Sequence, residues 1–144
     1  MMSTLLMLRV VPDESPSAED IRVVAQGMRG HALAQIDGDE SPPIACFARE
    51  GGAVVGGVVG RIIKGRMFVD LLWVEETRRH RGLGSSLLQC LERIASERGC
   101  RDVLLETLSG SAARLYTAAG YRLLGQIPDY IPGFAKRVLL KALA

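Results

Sequence analysis

The sequence predicts a mixed α/β (α+β) fold, with a central, twisted and mostly antiparallel sheet of about seven strands, one parallel pair, and helices on both faces. Three observations lead to this prediction. Short apolar runs separated by glycine turns fill the first half, which is typical of hairpins. A strand–helix–strand unit over 67–108 must be parallel and right-handed. With 144 residues, 48% hydrophobic and 24% charged, the chain is expected to be a single domain over 1–144.

The N-terminal part is predicted to form a strand and a helical region. The run LLMLRVV (5–11) is apolar and is followed by a proline, as expected for a short strand. Ser15 or Ser17 is suited to cap the helix that comes next. Gly27 and Gly30 weaken the second half of this helix, so the pattern is compatible with one helix or with a break into two.

Three strands are predicted to follow. IACFARE and AVVGGVVGRIIK are apolar runs on either side of Gly51 and Gly52, which form a hairpin turn. MFVDLLWV (67–74) is the third strand. The glycines within 56–60 interrupt the second run, and we interpret them as sites of bending or close packing.

The second half alternates helices and strands. Apolar residues recur at helical spacing from Leu83 to Ala95, and Gly99 ends this helix. DVLLETL (102–108) is predicted as a strand and SAARLYTAAG as a short helix. YRLLGQI and FAKRVLLKAL are predicted as the last two strands, with PDYIPG as a loop between them.

The segment RRHRGLG before the first of these helices indicates an anion site. A helix start leaves backbone N–H groups without partners and carries a partial positive charge. Gly82 and Gly84 let a ligand approach the backbone, and the basic residues 78–81 add attraction, so a pyrophosphate is the expected ligand. No lysine follows Gly84 as a P-loop requires, and Leu87 takes the third glycine position of a dinucleotide fingerprint. A tight turn with surface arginines is the alternative.

Two motifs resemble those of the GNAT superfamily of N-acyltransferases. RHRGLG (79–84) matches the acetyl-CoA loop R/Q-x-x-G-x-G/A, and ETLSGSAARLYTAAGYRLLGQI resembles the later strand–helix–strand motif. The tail is similar to that of a branch of small bacterial acetyltransferases, although Ser111, Ile131 and Phe134 differ from the residues usual there. The resemblance covers roughly 45–143 and implies a GNAT-like fold with the parallel pair at the cofactor cleft.

The resemblance implies an N-acetyltransferase that moves an acetyl group from acetyl-CoA to an amine by direct attack in a ternary complex. A non-catalytic acyl-CoA-binding regulatory domain on the same fold is the alternative. The cofactor-binding residues that the resemblance implies are Leu72, Trp73, Val74, Arg79, Arg81, Gly82, Leu83, Gly84, Ser85, Ser111 and Tyr116.

Acyl transfer needs a base for the amine and an acid for the departing thiolate. An alkyl ammonium has a pKa of roughly 10 and must lose a proton, which a carboxylate can take through water. The candidate bases are Asp70, Glu75, Glu76 and Glu106. We favour Glu106, which lies near the predicted separation of the two parallel strands. By resemblance, Tyr116 is the acid, with a packing role as the alternative. The amide of Val74 is expected to stabilise the oxyanion.

Cysteine spacing and charge limit the other classes of function. Cys46, Cys90 and Cys100 are not spaced as metal-ligand pairs, so we expect no metal, free thiols, a reduced compartment and no covalent thiol intermediate. The net charge is only +2, and the chain holds one tryptophan, three tyrosines and three phenylalanines, which does not favour a nucleic-acid-binding module built on 78–81.

The sequence also predicts the location and the acceptor. No apolar run reaches the ~18 residues of a membrane span, and the N-terminus lacks the features of a secretory signal, so we expect a cytoplasmic protein. The acceptor is expected to be a small-molecule amine or a protein or peptide amine, and homodimers are common among relatives. Asp37, Asp39, Glu40 and Asp129 would make the mouth of the acceptor site acidic.

Overall fold

The computed structural model describes residues 7–36 and 40–144, in two compact units, Met1–Asp37 and Gly38–Ala144. The first unit contains helix α1 (Ala18–Ile36), and the Ser17 hydroxyl caps it by accepting the amide of Asp20 at 3.1 Å. Of the two alternatives, the single helix is correct: α1 continues through Gly27 and Gly30, because a glycine costs a helix only about 1 kcal/mol. Residues 7–11 of the predicted first strand are not in a strand, and the remainder of that strand lies outside the described residues.

The second unit is a six-stranded sheet with two helices. Its elements are β1 (Ile44–Glu50), β2 (Ala53–Ile63), β3 (Arg66–Val74), α2 (Leu83–Glu97), β4 (Asp102–Thr107), α3 (Gly110–Ala118), β5 (Arg122–Ile131) and β6 (Phe134–Ala142). The strand order is β1-β2-β3-β4-β6-β5, and among the described pairs of neighbouring strands only β3–β4 is parallel. The mixed α/β fold class is therefore confirmed, with six described strands instead of about seven. The predicted loop PDYIPG is mostly strand, since β5 extends to Ile131.

The core lies between the sheet and helix α2. Leu88 and Leu91 of α2 have no exposed surface, and neither does Val58 of β2. Each such aliphatic side chain contributes roughly 1.5–3 kcal/mol to stability when it is fully buried. A Cβ at Gly60 would lie 2.6 Å from the carbonyl oxygen of Phe68 and 3.2 Å from Leu91 Cδ2, so the glycine permits close packing of β2 against β3 and α2.

A disulfide between Cys46 and Cys90 joins β1 to α2, whereas Cys100 is a free, buried thiol. The prediction of free thiols is therefore wrong for this pair. The two residues are 44 positions apart, and their Cα atoms lie 6.4 Å from each other, within the usual range for a disulfide. Cys46 faces α2 because it pairs with Val58 on the helix side of the sheet, a register that the spacing of the cysteines does not reveal.

A buried polar cluster holds α2 and α3 on the same face of the sheet. Glu92 of α2 is 8% exposed and accepts a hydrogen bond from the hydroxyl of Tyr121 at 2.8 Å. Lys141 Nζ donates to the same carboxylate at 2.9 Å and to the carbonyl of Ala119, at the end of α3, also at 2.9 Å.

Within the described ranges, no helix combines the length and the apolar character that crossing a bilayer requires.

Candidate active site

The parallel strands β3 and β4 separate soon after they begin. Their register covers only residues 66–68 against 102–104, although β3 continues to Val74. The β2–β3 register shifts where Val59 faces Leu71 and Gly60 faces Val69, which leaves Asp70 as the extra residue of a bulge. Among the described residues, the end of β3 has no strand partner on its β4 side, because the register with β4 ends at Phe68, so its main-chain groups border an open cleft.

The start of α2 presents backbone amides to this cleft. Gly82 precedes the helix with a φ of 78°, a left-handed conformation that glycine adopts without strain, and it has no side chain to cap the helix. The first intrahelical bond runs from the amide of Ser86 to the carbonyl of Gly82. The amides of Leu83, Gly84 and Ser85 precede that bond and have no helical acceptor.

These elements enclose a cavity of about 500 Å³ together with the side of α3 that faces α2. Its lining residues are Leu72, Trp73, Val74, Arg78, Arg79, His80, Gly82, Leu83, Gly84, Ser109, Ser111, Ala112, Leu115 and Tyr116. All of the cofactor-binding residues predicted from the sequence line it except Arg81 and Ser85. The structure therefore brings three separate segments of the chain to one cleft, as the resemblance implied.

The cationic side chains of the turn differ in their availability. Arg78 is bound by two carboxylates, Glu50 at 2.9 Å and Glu75 at 3.0 Å, and its hydrogen bond lowers the pKa of Glu50. Arg79 donates its Nε to the carbonyl oxygen of Val74 at 2.9 Å. A guanidinium carries five N–H donors, so Arg79 keeps donors for a ligand while the carbonyl fixes its position.

Tyr116 is largely buried, yet it lines the cavity. It is 7% exposed, and its ring centroid lies 6.0 Å from that of Tyr121. Its hydroxyl makes no hydrogen bond to any residue in the described part of the chain and is not sealed from solvent. Burial raises the pKa of this phenol, so it remains protonated and able to donate a hydrogen bond at neutral pH.

Three of the candidate bases are ion-paired. Glu106 lies in β4, beyond the point where β3 and β4 separate. Its Oε2 is 2.9 Å from Lys136 Nζ, and its side chain is half-exposed. Asp70 is 3.1 Å from Arg61, and Glu75 is held by Arg78. Glu106 faces the side of the sheet opposite α2, because its neighbour Leu105 is in the core.

Sequence reasoning missed the surroundings of Glu106. Lys136 of β6 lies 4.7 Å from the ring centroid of Tyr130 on β5, and the hydrogen bond to Glu106 raises the pKa of Lys136. The basic segment AKR is evident in the sequence of the predicted last strand. The contact of Lys136 with Glu106 could not be predicted from it, because that contact depends on the register of β4 against β6.

Two of the four acids predicted at the acceptor mouth, Glu40 and Asp129, lie among the described residues, and each has a partner. Glu40 is 3.3 Å from Arg61, and Asp129 accepts the amide of Gly133 at 3.3 Å. Asp37 and Asp39 lie outside the described residues. Neither of the two described acids is therefore an unpartnered negative charge at the mouth.

Two further features of the described residues concern candidate metal ligands and the free thiol. None of their His, Cys, Asp and Glu side chains form a group of three or more that could hold a metal ion. Burial raises the pKa of the Cys100 thiol, which disfavours the thiolate that a nucleophile needs.

Comparisons with known proteins agree with this geometry. The model of the acetyltransferase (GNAT) family matches residues 11–121. A blasticidin-S acetyltransferase of Streptomyces morookaense is 39% identical over 109 residues, which make up 72% of this chain and 80% of that protein. An acetyltransferase of Agrobacterium fabrum is 35% identical over 75 residues, 52% of this chain and 55% of that protein. The crystal structure of an acetyltransferase from Bacillus cereus is 29% identical with a TM-score of 0.80, covering 92% of this chain and 98% of the other.

Proposed function

The chain belongs to the GNAT family and is an acetyltransferase, and we propose that its cleft binds acetyl-CoA and supports direct attack by an amine in a ternary complex. One observation carries this proposal: the unpaired end of β3, the glycine turn before α2 and the hydroxyl of Tyr116 border a single cavity. The glycine turn suits a diphosphate, the end of β3 suits an extended amide-bearing arm, and the Tyr116 hydroxyl suits the sulfur of a thioester.

The glycine turn is proposed to bind the diphosphate. The amides of Leu83, Gly84 and Ser85 supply several donors along a short arc, which a single cationic side chain cannot do. Arg79 adds a charge-assisted hydrogen bond from a position fixed by Val74. Arg81, which does not line the cavity, contributes only its long-range charge in this proposal.

The end of β3 is proposed to hold the arm of the cosubstrate. Leu72, Trp73 and Val74 line the cavity, and β4 has already diverged from them. An amide-bearing chain can hydrogen-bond to this free strand edge as an added strand does. Ser111 of α3 lines the opposite wall. The amide of Val74 is the proposed donor to the oxyanion that forms on the thioester carbonyl.

Glu106 and Tyr116 are proposed to move the two protons of the reaction. Glu106 takes a proton from the acceptor ammonium through a water, and the free amine then attacks the carbonyl carbon. As the C–S bond breaks, Tyr116 donates its hydroxyl proton to the departing thiolate, and the second proton that the attacking nitrogen loses returns to the phenolate, which leaves a neutral amide, free CoA thiol and the restored tyrosine. Lys136, whose Nζ lies 2.9 Å from Glu106 Oε2, fixes the position of the carboxylate before the acceptor arrives.

The acceptor is proposed to be a small-molecule amine. The relative that is 39% identical is a blasticidin-S acetyltransferase, which makes blasticidin S the first acceptor to test. Ser111, Ile131 and Phe134 line a further cavity of about 430 Å³ at the end of the β5–β6 hairpin, and we assign this cavity to the acceptor.

Titration calorimetry with CoA, followed by measurement of thiol release from acetyl-CoA with a panel of amines, tests the proposal. We expect CoA to bind and at least one amine, blasticidin S first, to release free CoA. If CoA bound but no amine released it, the result would favour the regulatory acyl-CoA-binding alternative. The absence of heat with CoA at millimolar concentration would overturn the proposed cleft.

A further inference from the structure

A second cavity lies on the opposite side of α3 from the proposed acetyl-CoA cleft. We call it the β5-side groove; it has a volume of about 470 Å³ and shares no lining residue with that cleft. Ala113 and Thr117 of α3 form one wall, and Leu123 of β5 and Leu139 of β6 form the floor. This volume falls in the range of small-molecule sites, about 300–1,000 Å³.

Two arginines converge at one end of the groove. A Cβ at Gly110 would lie 3.9 Å from a terminal nitrogen of Arg114 and 3.9 Å from one of Arg137. Both arginines line the groove, and Arg137 is half-buried. Both cations therefore lie within 3.9 Å of one point, and like charges brought together in this way repel each other unless an anion lies between them.

No carboxylate among the described residues neutralises these two arginines. Neither Arg114 nor Arg137 forms a hydrogen bond or an ion pair there, whereas Arg61, Arg66 and Arg78 of the same unit each bind an acidic side chain. Glu106 is close in sequence to the register partner of Arg137, but its side chain is on the other face of the sheet. The pair of guanidinium groups is therefore available to a ligand.

We propose that the β5-side groove binds a small amphiphilic anion, with its oxyanion head group held by Arg114 and Arg137 and its apolar body on Leu123 and Leu139. Guanidinium groups suit this ligand because their planar forks bind carboxylate and phosphate oxygens in pairs. The apolar floor excludes a fully hydrated ion as the complete ligand. This site is separate from the cleft assigned to acetyl-CoA, with which it shares no lining residue, and it meets the cavity assigned to the acceptor only at Gly110.

The test uses 1-naphthyl phosphate as the probe and the full ¹⁵N-labelled chain, with and without saturating CoA. We expect the probe to shift the amide resonances of Ala113, Thr117, Leu123 and Leu139, and CoA not to compete. The neutral analogue 1-naphthol should bind much more weakly, and 1-naphthoate shows whether a carboxylate head group also suffices. Failure of CoA to bind would count against the proposed function alone, since the titration without CoA still reports on the groove.

Variants connect the binding to the two arginines. Arg114→Gln and Arg137→Gln should each weaken probe binding about threefold to tenfold, and the double variant more strongly. Arg122→Gln is the matched control: it removes one positive charge from β5, but Arg122 pairs with Leu140 and points to the other face. The Arg122→Gln variant should bind the probe with the same affinity as the wild type.

A second variant fills the anion position. Gly110→Glu would place a carboxylate between the arginines, and its Cβ would meet no atom closer than 3.9 Å. An acidic residue in the first turn of a helix favours folding, so loss of probe binding in this variant reports occupancy of the site. Equal binding of 1-naphthol and 1-naphthyl phosphate, wild-type affinity in the double variant, or shifts confined to residues outside the groove would each overturn the proposal.

Discussion

The two sides of helix α3 offer positive charge in different ways. On the side facing α2, main-chain amides at Gly82–Ser85 combine with Arg79 and the hydroxyl of Tyr116. On the side facing β5, only the side chains of Arg114 and Arg137 provide charge, above an apolar floor. The first arrangement suits a long diphosphate that needs many donors, and the second suits one compact head group. We therefore expect the ligand class on each side of α3 to follow from whether the donors come from the backbone or from side chains.

The strongest test of this comparison places the same acidic side chain on either side of α3. Gly84→Glu sets a carboxylate at the amide turn, where a Cβ would meet only Leu115 Cδ1 at 3.6 Å, so the backbone can keep its conformation. The new charge repels a diphosphate in a partly desolvated site, and we expect CoA affinity to fall about 100-fold or more, equal to about 2.7 kcal/mol. Calorimetry measures the effect.

Gly110→Glu is the matched control for this substitution. It introduces the same residue in the first turn of the other helix, and we expect the CoA dissociation constant to stay within about threefold of the wild-type value. Equal losses of CoA affinity in the two variants would mean that the two sides of α3 are not independent, and a normal affinity in Gly84→Glu would contradict the diphosphate site.

The next test separates the two tyrosines that lie together at α3. Tyr116→Phe removes the proposed proton donor and should lower kcat about 100-fold while the KM for acetyl-CoA stays within about threefold. Tyr121→Phe instead removes a hydrogen bond to buried Glu92, so it should cost about 2 kcal/mol of unfolding free energy and leave kcat intact. Steady-state kinetics and urea unfolding of both variants give the comparison.

The opposite kinetic results for the two variants would change the roles assigned to Tyr116 and Tyr121. A normal kcat for Tyr116→Phe across the pH range would remove this hydroxyl from the mechanism and leave it a packing role beside Tyr121. A large loss of kcat in Tyr121→Phe at a temperature where the variant is folded would show that the Glu92 cluster takes part in activity.

The sequence predicted the α2-facing site because its parts are local. Strand β3, the turn at Gly82 and Gly84, and the start of α2 follow one another along the chain, and the helix N-terminus itself supplies the donors. Tyr116 was assigned by resemblance to a family motif, and it lines the same cavity. Hairpin turns at glycine and apolar periodicity likewise predicted β1, β2 and α2 almost to their ends.

Features that depend on strand register could not be predicted. Arg114 and Arg137 are 23 positions apart in the sequence and meet only because β6 lies next to β4 and under α3. The same holds for the disulfide of Cys46 with Cys90 and for the ion pair of Glu106 with Lys136. A side chain's period of two along a strand predicts its face, but not which neighbour stands beside it.

The smallest effect concerns the strand that positions α3 for both sites. Asp102, the first residue of β4, binds Arg66 at 2.7 and 2.9 Å, and this hydrogen bonding lowers the pKa of Asp102 below its ordinary value of 3.8. Asp102→Asn should therefore reduce the unfolding free energy at neutral pH, by about 1–2 kcal/mol because Arg66 is partly exposed. CoA and 1-naphthyl phosphate should bind the folded variant as they bind the wild type.

The contribution of the Asp102–Arg66 interaction to the unfolding free energy depends on pH, and its direction follows from the lowered pKa of Asp102. A carboxyl group whose pKa is lowered by folding stabilises the protein fully above its unfolded pKa, and this stabilisation is lost as the pH falls through the lower folded value. The difference between wild type and Asp102→Asn in urea unfolding should thus be constant down to about pH 4 and shrink below it. Glu97→Gln, an exposed acid at the end of α2, is the control and should show no such difference. A constant difference at every pH would indicate a packing defect, whereas a change in both ligand affinities would mean that Asp102 sets the position of α3.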